Sequence, residues 1–465
     1  MATNALKQHL VLVGFMGAGK STVGAEVARR LGRPFVDVDT EIERAEGPIA
    51  EIFASRGEAA FRELEARHLN EARHGPPSVI AVGGGAVERP ELFLGGWLQL
   101  VVQLEVDVDS AWERARGSGR PLAQDESEFR QRYELRAPLY AELADAKASD
   151  ADGVVLAAAG IHVEPGALQQ LDRFVDDPAA LVTEPVVAGI HGADAQIAFP
   201  FEETHELPTG ETAKHLAAVE RLWRSLRLGR DGTIVALGGG ALTDAAGYAA
   251  SAYLRGVPWI PVPTTLTAQV DASIGGKTAI DLPEGKNLVG AFHWPLRTII
   301  DPALLATLPE RERKNGLAEV VKTGLLAGDP LWELPEPEMV RRSAAFKAAV
   351  CIRDPYDYGE RKILNLGHTF AHALEAGARY GIPHGEAVAL GLLAALRLSG
   401  LETDAVEEVL SPQPAHVDRD LAWEALQRDK KGGRLVLLER PGEPRIDVEL
   451  SPEQVRAELN RLIAD

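Results

Sequence analysis

Three groups of residues in this chain have the types and spacing to do chemistry. Gly14-Phe15-Met16-Gly17-Ala18-Gly19-Lys20-Ser21 fits the pattern G-x-x-x-x-G-K-[ST]. Its glycines let successive backbone N–H groups turn toward phosphate oxygens, Lys20 has the reach for β- and γ-phosphates, and the Ser21 hydroxyl suits Mg²⁺. Ala236-Leu237-Gly238-Gly239-Gly240-Ala241-Leu242-Thr243-Asp244 has the form of a strand feeding a helix N-terminus, where a dinucleotide pyrophosphate can sit. It is not G-x-G-x-x-G, and three adjacent glycines also suit a tight turn. Further on, His368 and His372 stand four apart, on one face of a helix, with His384 and Glu319 elsewhere in the same region. Imidazoles with a carboxylate make a reasonable donor set for Zn²⁺.

These groups need a scaffold. Leu10–Val13 reads as a buried strand, 21–31 as a helix stopped at Gly32, 35–37 as a second strand and 58–73 as a helix, with further strands at 78–82 and 98–104. Such alternation predicts a parallel sheet covered on both faces. Asp37 and Asp39 then fall on alternate residues at a strand end, and so on one face. The small, polar stretch 144–153 predicts a linker. Beyond it, strands are expected at 154–158, 180–183, 196–200 and 233–237, with a helix at 211–226. From about Pro309 the pattern becomes helical, including 361–377, 384–398 and 452–463. The expected architecture is α/β: a P-loop domain with a parallel sheet at 1–148, a linker at 149–153, an α/β dinucleotide-binding domain at 154–308 and an α-helical metal-binding domain at 309–465.

The chain has 465 residues, 45% hydrophobic and 25% charged, which suits a soluble globular protein of about three folding units. A net charge of −20 speaks against nucleic acid or an anionic membrane as partner. No run approaches the ~18 apolar residues of a membrane span, and no signal peptide is expected. One cysteine, Cys351, points to a reducing compartment, so a cytoplasmic location is expected. Lysine is scarce, 12 against 37 arginines, yet six of the 12 lie between Lys277 and Lys362. A solvated face would account for that, but so would a pocket that needs compact ammonium groups.

After the phosphate loop come Asp37-Val38-Asp39, Phe61-Arg62-Glu63-Leu64-Glu65, Gly83-Gly84-Gly85, Arg120-Pro121-Leu122 and Leu135-Arg136-Ala137-Pro138-Leu139-Tyr140. In this order they make residues 8–142 resemble shikimate kinase. The resemblance implies ATP on Gly17, Ala18, Gly19, Lys20, Ser21 and Thr22, with Arg120 as a lid over the phosphates. It implies Mg²⁺ at Ser21 and Asp37, and shikimate held by Asp39, Arg62, Gly84 and Arg136. Two guanidinium forks suit a carboxylate, and an Asp suits vicinal hydroxyls.

The second half carries Pro263-Thr264-Thr265, Asp271-Ala272-Ser273-Ile274-Gly275-Gly276-Lys277-Thr278, Gly285-Lys286-Asn287 and Gly316-Leu317-Ala318-Glu319-Val320-Val321-Lys322. Leu364-Asn365-Leu366-Gly367-His368-Thr369-Phe370-Ala371-His372 and Pro383-His384-Gly385-Glu386 complete a series in which residues 154–465 resemble 3-dehydroquinate synthase. That resemblance assigns Zn²⁺, with Co²⁺ as a substitute, to Glu319, His368 and His384, and makes His372 a substrate contact. It places NAD⁺ against Glu211, Lys214, Gly240, Asp244, Thr264, Thr265, Lys277, Lys286 and Thr307. The substrate pocket would take Arg255, Asp271, Lys277, Asn287, Lys322, Lys347, Arg361, Asn365, His372 and Lys430. Seven of the 12 lysines thereby fall on expected sites. Three departures stand out: Thr243 precedes Asp244 where the family usually has glycine, the 328–347 region, broken by Pro330, Pro335 and Pro337, looks short, and the match at Asp429-Lys430-Lys431 is brief, so that either lysine suits the substrate site.

The resemblances together imply a bifunctional enzyme of aromatic precursor biosynthesis. One unit would phosphorylate shikimate with ATP, with Lys20, Asp39 and Arg120 catalytic. The other would convert 3-deoxy-arabino-heptulosonate 7-phosphate to 3-dehydroquinate and phosphate, with Lys277, Lys322 and His372 catalytic. Small anionic substrates and a homodimer through the synthase are expected. The alternatives are a small-molecule kinase fused to a metal-dependent polyol or alcohol dehydrogenase, and a chain in which one unit is a degenerate scaffold.

Overall fold

The computed structural model describes residues 4–94, 96, 98–117, 122–429 and 434–464. The chain divides into two compact units, the first ending at Gly160 and the second beginning at Ile161. Among the described residues no helix is long and apolar enough to cross a membrane.

The first unit is a five-stranded parallel sheet in the order Phe35–Asp37, Val79–Ala81, His9–Val13, Gln99–Leu104, Ala146–Ala148. The central strand is buried along its whole length, which is why it reads as an unbroken apolar run. Val11 and Val13 pack with Ile80, Val101, Phe129 and Tyr140 in one core. The helix Lys20–Leu31 starts directly after the phosphate loop and stops at Gly32, whose φ of 60° closes it in the left-handed region. The helix Ile49–Arg73 contains a break at Gly57, so its second part begins where periodicity places it.

Three expectations need correction here. The stretch 144–153 is not a linker: Ala146–Ala148 is the fifth strand, and Ala151–Ala158 is a helix, not a strand at 154–158. Asp150 caps that helix by accepting from Gly153 N at 2.8 Å. Asp152 pairs with Arg30 of the Lys20–Leu31 helix, so the helix belongs to the first unit and the break falls after Gly160. Asp37 and Asp39 do not share a strand face either. The strand ends at Asp37, which caps the helix Val38–Glu46, and Asp39 projects from that helix's first turn.

The second unit holds a parallel sheet in the order Trp259–Pro263, Thr233–Gly238, Ala179–Thr183, Glu203–Glu206. Alternate residues feed two cores. Ala180, Val182, Ile234 and Ala236 pack on one face, and Leu181, Val235, Leu237, Ile260 and Val262 on the other. The strand expected at 196–200 is instead the end of the helix Ala193–Ala198, and Glu203–Glu206 supplies the edge strand. The 211–226 helix is a 3₁₀ turn, Gly210–Lys214, followed by the helix Leu216–Ser225. An antiparallel hairpin, Lys277–Leu282 with Gly285–Phe292, follows the sheet. The rest is mainly helical, with a second hairpin, Arg434–Arg440 and Glu443–Glu449. Pro335 and Pro337 do not break a helix: they start the one spanning Glu336–Arg353, where a missing N–H costs nothing. The helix expected at 361–377 is a 3₁₀ turn, Glu360–Asn365, and then His368–Gly377.

Candidate active sites

In the first unit the loop between strand and helix needs its glycines. Gly17 and Gly19 have φ of 82° and 87°, and a Cβ on Gly17 would lie 2.5 Å from Ala111 O. Lys20 Nζ donates to Gly14 O at 2.7 Å and to Phe15 O at 3.3 Å, folded over the cradle it would share with phosphates. Ser21 Oγ donates to Asp37 Oδ2 at 2.5 Å, which joins the two groups expected at Mg²⁺. Thr22 is exposed beside them. Arg120 lies outside the described residues.

Gly84 packs close to this loop, since a Cβ there would stand 3.4 Å from Met16 N. Around it are the groups expected to clamp a hydroxy acid. Arg62 pairs with Glu65 and Glu58, both at 2.7 Å. Arg136, 3% exposed, donates from Nε to Glu88 Oε1 at 2.8 Å. Tyr140 OH donates to Gly84 O at 2.5 Å. Asp39 joins the cluster, because a Cβ on Gly83 would fall 2.1 Å from Glu65 Oε1 and 3.0 Å from Asp39 Oδ1. Burial pushes the Glu65 carboxyl up even against Arg62, with Asp39 adding to the rise. Glu65 and Glu88 were not singled out from sequence. Glu65, three residues after Arg62 on a helix, had a readable signal.

In the second unit Gly239 and Gly240 join the strand Thr233–Gly238 to the helix Gly240–Ala252. A Cβ on Gly239 would stand 3.1 Å from Thr265 Cγ2, and one on Gly240 3.1 Å from Ala272 Cβ. Thr264 N donates to Gly238 O at 3.0 Å. Thr243 is buried, and its hydroxyl turns back to Gly240 O at 3.0 Å. Lys214 Nζ meets Asp244 Oδ2 at 2.8 Å and also donates to Asn287 Oδ1. Burial alone would lower the Lys214 ammonium, but Asp244 outweighs it and holds it above its ordinary value. Lys286 stands 3.5 Å from Glu211, and Thr307 Oγ1 3.0 Å from the buried His191. Arg255 is exposed at a left-handed turn, φ 69°.

The metal groups come together from three helices, Glu310–Ala327, His368–Gly377 and His384–Ser399. Glu319 Oε1 lies 3.2 Å from His384 Nε2 and 3.5 Å from His368 Nε2, and the three ligand atoms fall within 4.8 Å of one another. His368 Nδ1 is 3.2 Å from Leu366 O, and His384 Nδ1 is 3.1 Å from Glu375 Oε1. Both rings are thus held by Nδ1, leaving Nε2 turned to a common point, the arrangement a divalent cation takes. Burial alone would lower His384, but Glu319 and Glu375 push it up to about 10. Burial and then Lys322 hold His368 below its usual range. The residues present therefore fit Zn²⁺. His372 is one turn along, its ring 5.6 Å from that of His368.

Lys322 sits against this triad. It is 2% exposed, ion-paired with Glu319 and 3.4 Å from Asp271 Oδ1. Lys347 Nζ lies 2.8 Å from Asp271 Oδ1 and 2.7 Å from Asp271 O. Burial would raise Asp271, yet Lys322 and Lys347 hold it down at about 2. Arg361 donates to Gly275 O at 2.9 Å, and Lys277 pairs with Asp357 at 2.5 Å. Asn365 ends the 3₁₀ turn just before His368. Lys430 lies outside the described residues. Asp357, Glu375 and His191 are partners that sequence reading missed.

Comparison with known proteins agrees with this division. The shikimate kinase family model matches residues 16–159, that of the 3-dehydroquinate synthase N-terminal region 204–315 and that of its C-terminal region 316–431. The bifunctional shikimate kinase/3-dehydroquinate synthase of Thermotoga maritima is 35% identical over 419 residues, 83% of each chain. The 3-dehydroquinate synthase of Bordetella pertussis is 41% identical over 324 residues, covering 61% of this chain and 90% of that protein. Among solved structures, 2-epi-5-epi-valiolone synthase from Streptomyces hygroscopicus with NAD⁺ and Zn²⁺ bound superposes with a TM-score of 0.59 at 25% identity, over 65% of this chain and 96% of that one. With family models matched in both halves and a relative of the same two-part composition matched along most of its length, the chain belongs to the bifunctional shikimate kinase/3-dehydroquinate synthase family.

Proposed function

We propose that the two activities run at two separate sites, one inside each unit, with no direct transfer of intermediates between them. In the first, Lys20 with Arg120 offsets negative charge on the transferring phosphoryl group of ATP, while Ser21 and Asp37 hold Mg²⁺. Arg62 and Arg136 grip the shikimate carboxylate. Asp39 takes the proton from the attacking hydroxyl as the new O–P bond forms and ADP leaves.

In the second, Glu211, Lys214, Gly240, Asp244, Thr264, Thr265, Lys286 and Thr307 hold the dinucleotide, and Glu319, His368 and His384 the metal. When bound, NAD⁺ supplies a reversible two-electron oxidation and the divalent cation Lewis acidity at the reacting oxygen. The chain supplies the rest. Lys277, Lys347, Arg361, Asn287, Arg255 and Lys430 bind the substrate's carboxylate and phosphate. Lys322, between Glu319 and Asp271, keeps a positive charge beside the reacting hydroxyl. His372, adjoining the metal triad, exchanges protons with substrate as phosphate departs.

The observation that carries this reading is the buried Lys322, paired at once with a metal-site carboxylate and with the aspartate that Lys347 also holds. A phosphorylated acid needs cations built against the metal, whereas an uncharged polyol does not. The single cysteine supports a cytoplasmic enzyme, the −20 charge supports small anionic substrates over nucleic acid, and the family supports a homodimer through the synthase unit. Purified protein is expected to release phosphate from the heptulosonate phosphate with catalytic NAD⁺, and to form ADP from ATP only with shikimate. Steady reduction of NAD⁺ by glycerol without phosphate release would assign the second unit to polyol oxidation instead.

A further inference from the structure

Glu375 is neither a metal ligand nor a substrate contact in the proposed reactions, yet it is built into the same cluster. It lies on the helix His368–Gly377, two turns beyond His368 and on the same face. Its side chain is 8% exposed, on a helix whose buried residues include Phe370, Ala371 and Leu374. A carboxylate so placed is costly unless something answers its charge. The hydrogen-bond partner is His384 Nδ1, 3.1 Å from Glu375 Oε1, while the opposite nitrogen of that ring faces Glu319. The other imidazole of the triad is held by a neutral carbonyl, Leu366 O at 3.2 Å. One ring is therefore steered by a dipole and the other by a full charge.

We propose that Glu375 is a positioning residue of the metal centre: it fixes the hydrogen of His384 on Nδ1, turns Nε2 toward the cation and strengthens that nitrogen as a donor. The inference rests on reading Glu319, His368 and His384 as the metal site. It gives Glu375 a function that helix packing alone does not require. One helix thereby carries both a ligand and the group that aims the ligand opening the next helix, so their spacing is set by rigid backbone.

The test measures metal affinity rather than turnover. Zinc dissociation constants are obtained by chelator competition at fixed pH for the full chain and for Glu375→Gln, Glu375→Asp and His368→Ala. Melting of the metal-free proteins and visible spectra of the Co²⁺ forms are recorded alongside. Glu375→Gln is expected to weaken zinc on the order of 10- to 100-fold and to shift the Co²⁺ bands. Glu375→Asp is expected to recover part of the affinity. A dissociation constant for Glu375→Gln within twofold of the parent, with His368→Ala having lost zinc, overturns the role of Glu375 alone. Full zinc retention by His368→Ala overturns the metal-site reading beneath it. If Glu375→Gln does not fold, Glu375→Asp decides: unchanged affinity and unchanged Co²⁺ bands reject the proposal.

Discussion

Replacing Gly85 with alanine is the sharpest probe of how the kinase site is assembled. The backbone does not require glycine there, since its φ of −98° and ψ of −5° suit any residue. Space does. A Cβ at Gly85 would lie 2.0 Å from Arg62 Nη2 and 2.4 Å from Arg62 Cζ. The guanidinium must retreat by about 1.4 Å, from 2.0 Å to the 3.4 Å of ordinary van der Waals contact. That movement exceeds what its two 2.7 Å bonds to Glu58 and Glu65 tolerate. Arg62 then leaves the position from which it grips a carboxylate, and a charge-assisted interaction of roughly 1.5–3 kcal/mol is lost. At about 1.4 kcal/mol per factor of ten, the KM for shikimate should rise roughly 10- to 150-fold. The KM for ATP and the synthase kcat/KM should stay within twofold, because neither site uses Arg62. Initial-rate measurements on the full chain give all three. A folded Gly85→Ala protein whose shikimate KM is within twofold of the parent would refute the placement of Arg62 at the substrate carboxylate.

Other expectations follow from the same geometry. In the metal-free synthase His384 is raised to about 10 from an ordinary 6.5, so its stabilisation is fully present below pH 6.5 and is lost as pH rises through about 10. A bound cation must displace that proton. Zinc affinity, followed by chelator competition between pH 6 and 9, should therefore climb about tenfold per pH unit, and a flat profile contradicts the arrangement. Asp150→Ala removes the cap of the helix Ala151–Ala158 and should lower kinase-unit stability by about 1 kcal/mol, seen as a lower urea midpoint for loss of kinase activity. A fragment ending at Gly160 should keep shikimate kinase activity and one ending at Ser149 should lose it, whereas equal activity would restore the linker reading. Lys322→Met should abolish phosphate release from the heptulosonate phosphate by at least about a hundredfold while zinc stays bound, since it leaves Glu319 as ligand. Unchanged turnover would remove Lys322 from the site.

How far the sequence carried depended on where each feature's determinants lie. The phosphate loop was legible because its function resides in adjacent backbone groups, and the Gly-Lys-Ser run fits few other structures. The buried central strands were legible as apolar runs. Val154–Ala158 was misread because a short apolar run suits strand and helix alike. The Asp150 cap and the packing against the Lys20–Leu31 helix decide it. Asp39 was assigned to the site for a wrong geometric reason, strand alternation, because Asp37 ends its strand by capping a helix. Glu375 left a local trace, two helical turns from His368, but its partner His384 is supplied by tertiary structure. The pair His191 and Thr307, 116 residues apart, left none.

The central claim is that one chain holds two complete and separable active sites. Its most direct test is to assay both reactions in Lys20→Ala and in His368→Ala, each as the full-length protein. Lys20→Ala should lose ATP-dependent phosphorylation of shikimate and release phosphate from the heptulosonate phosphate at the parent's rate, and His368→Ala should do the reverse. A variant that loses both activities while remaining folded, or a parent protein lacking either one, would contradict the account.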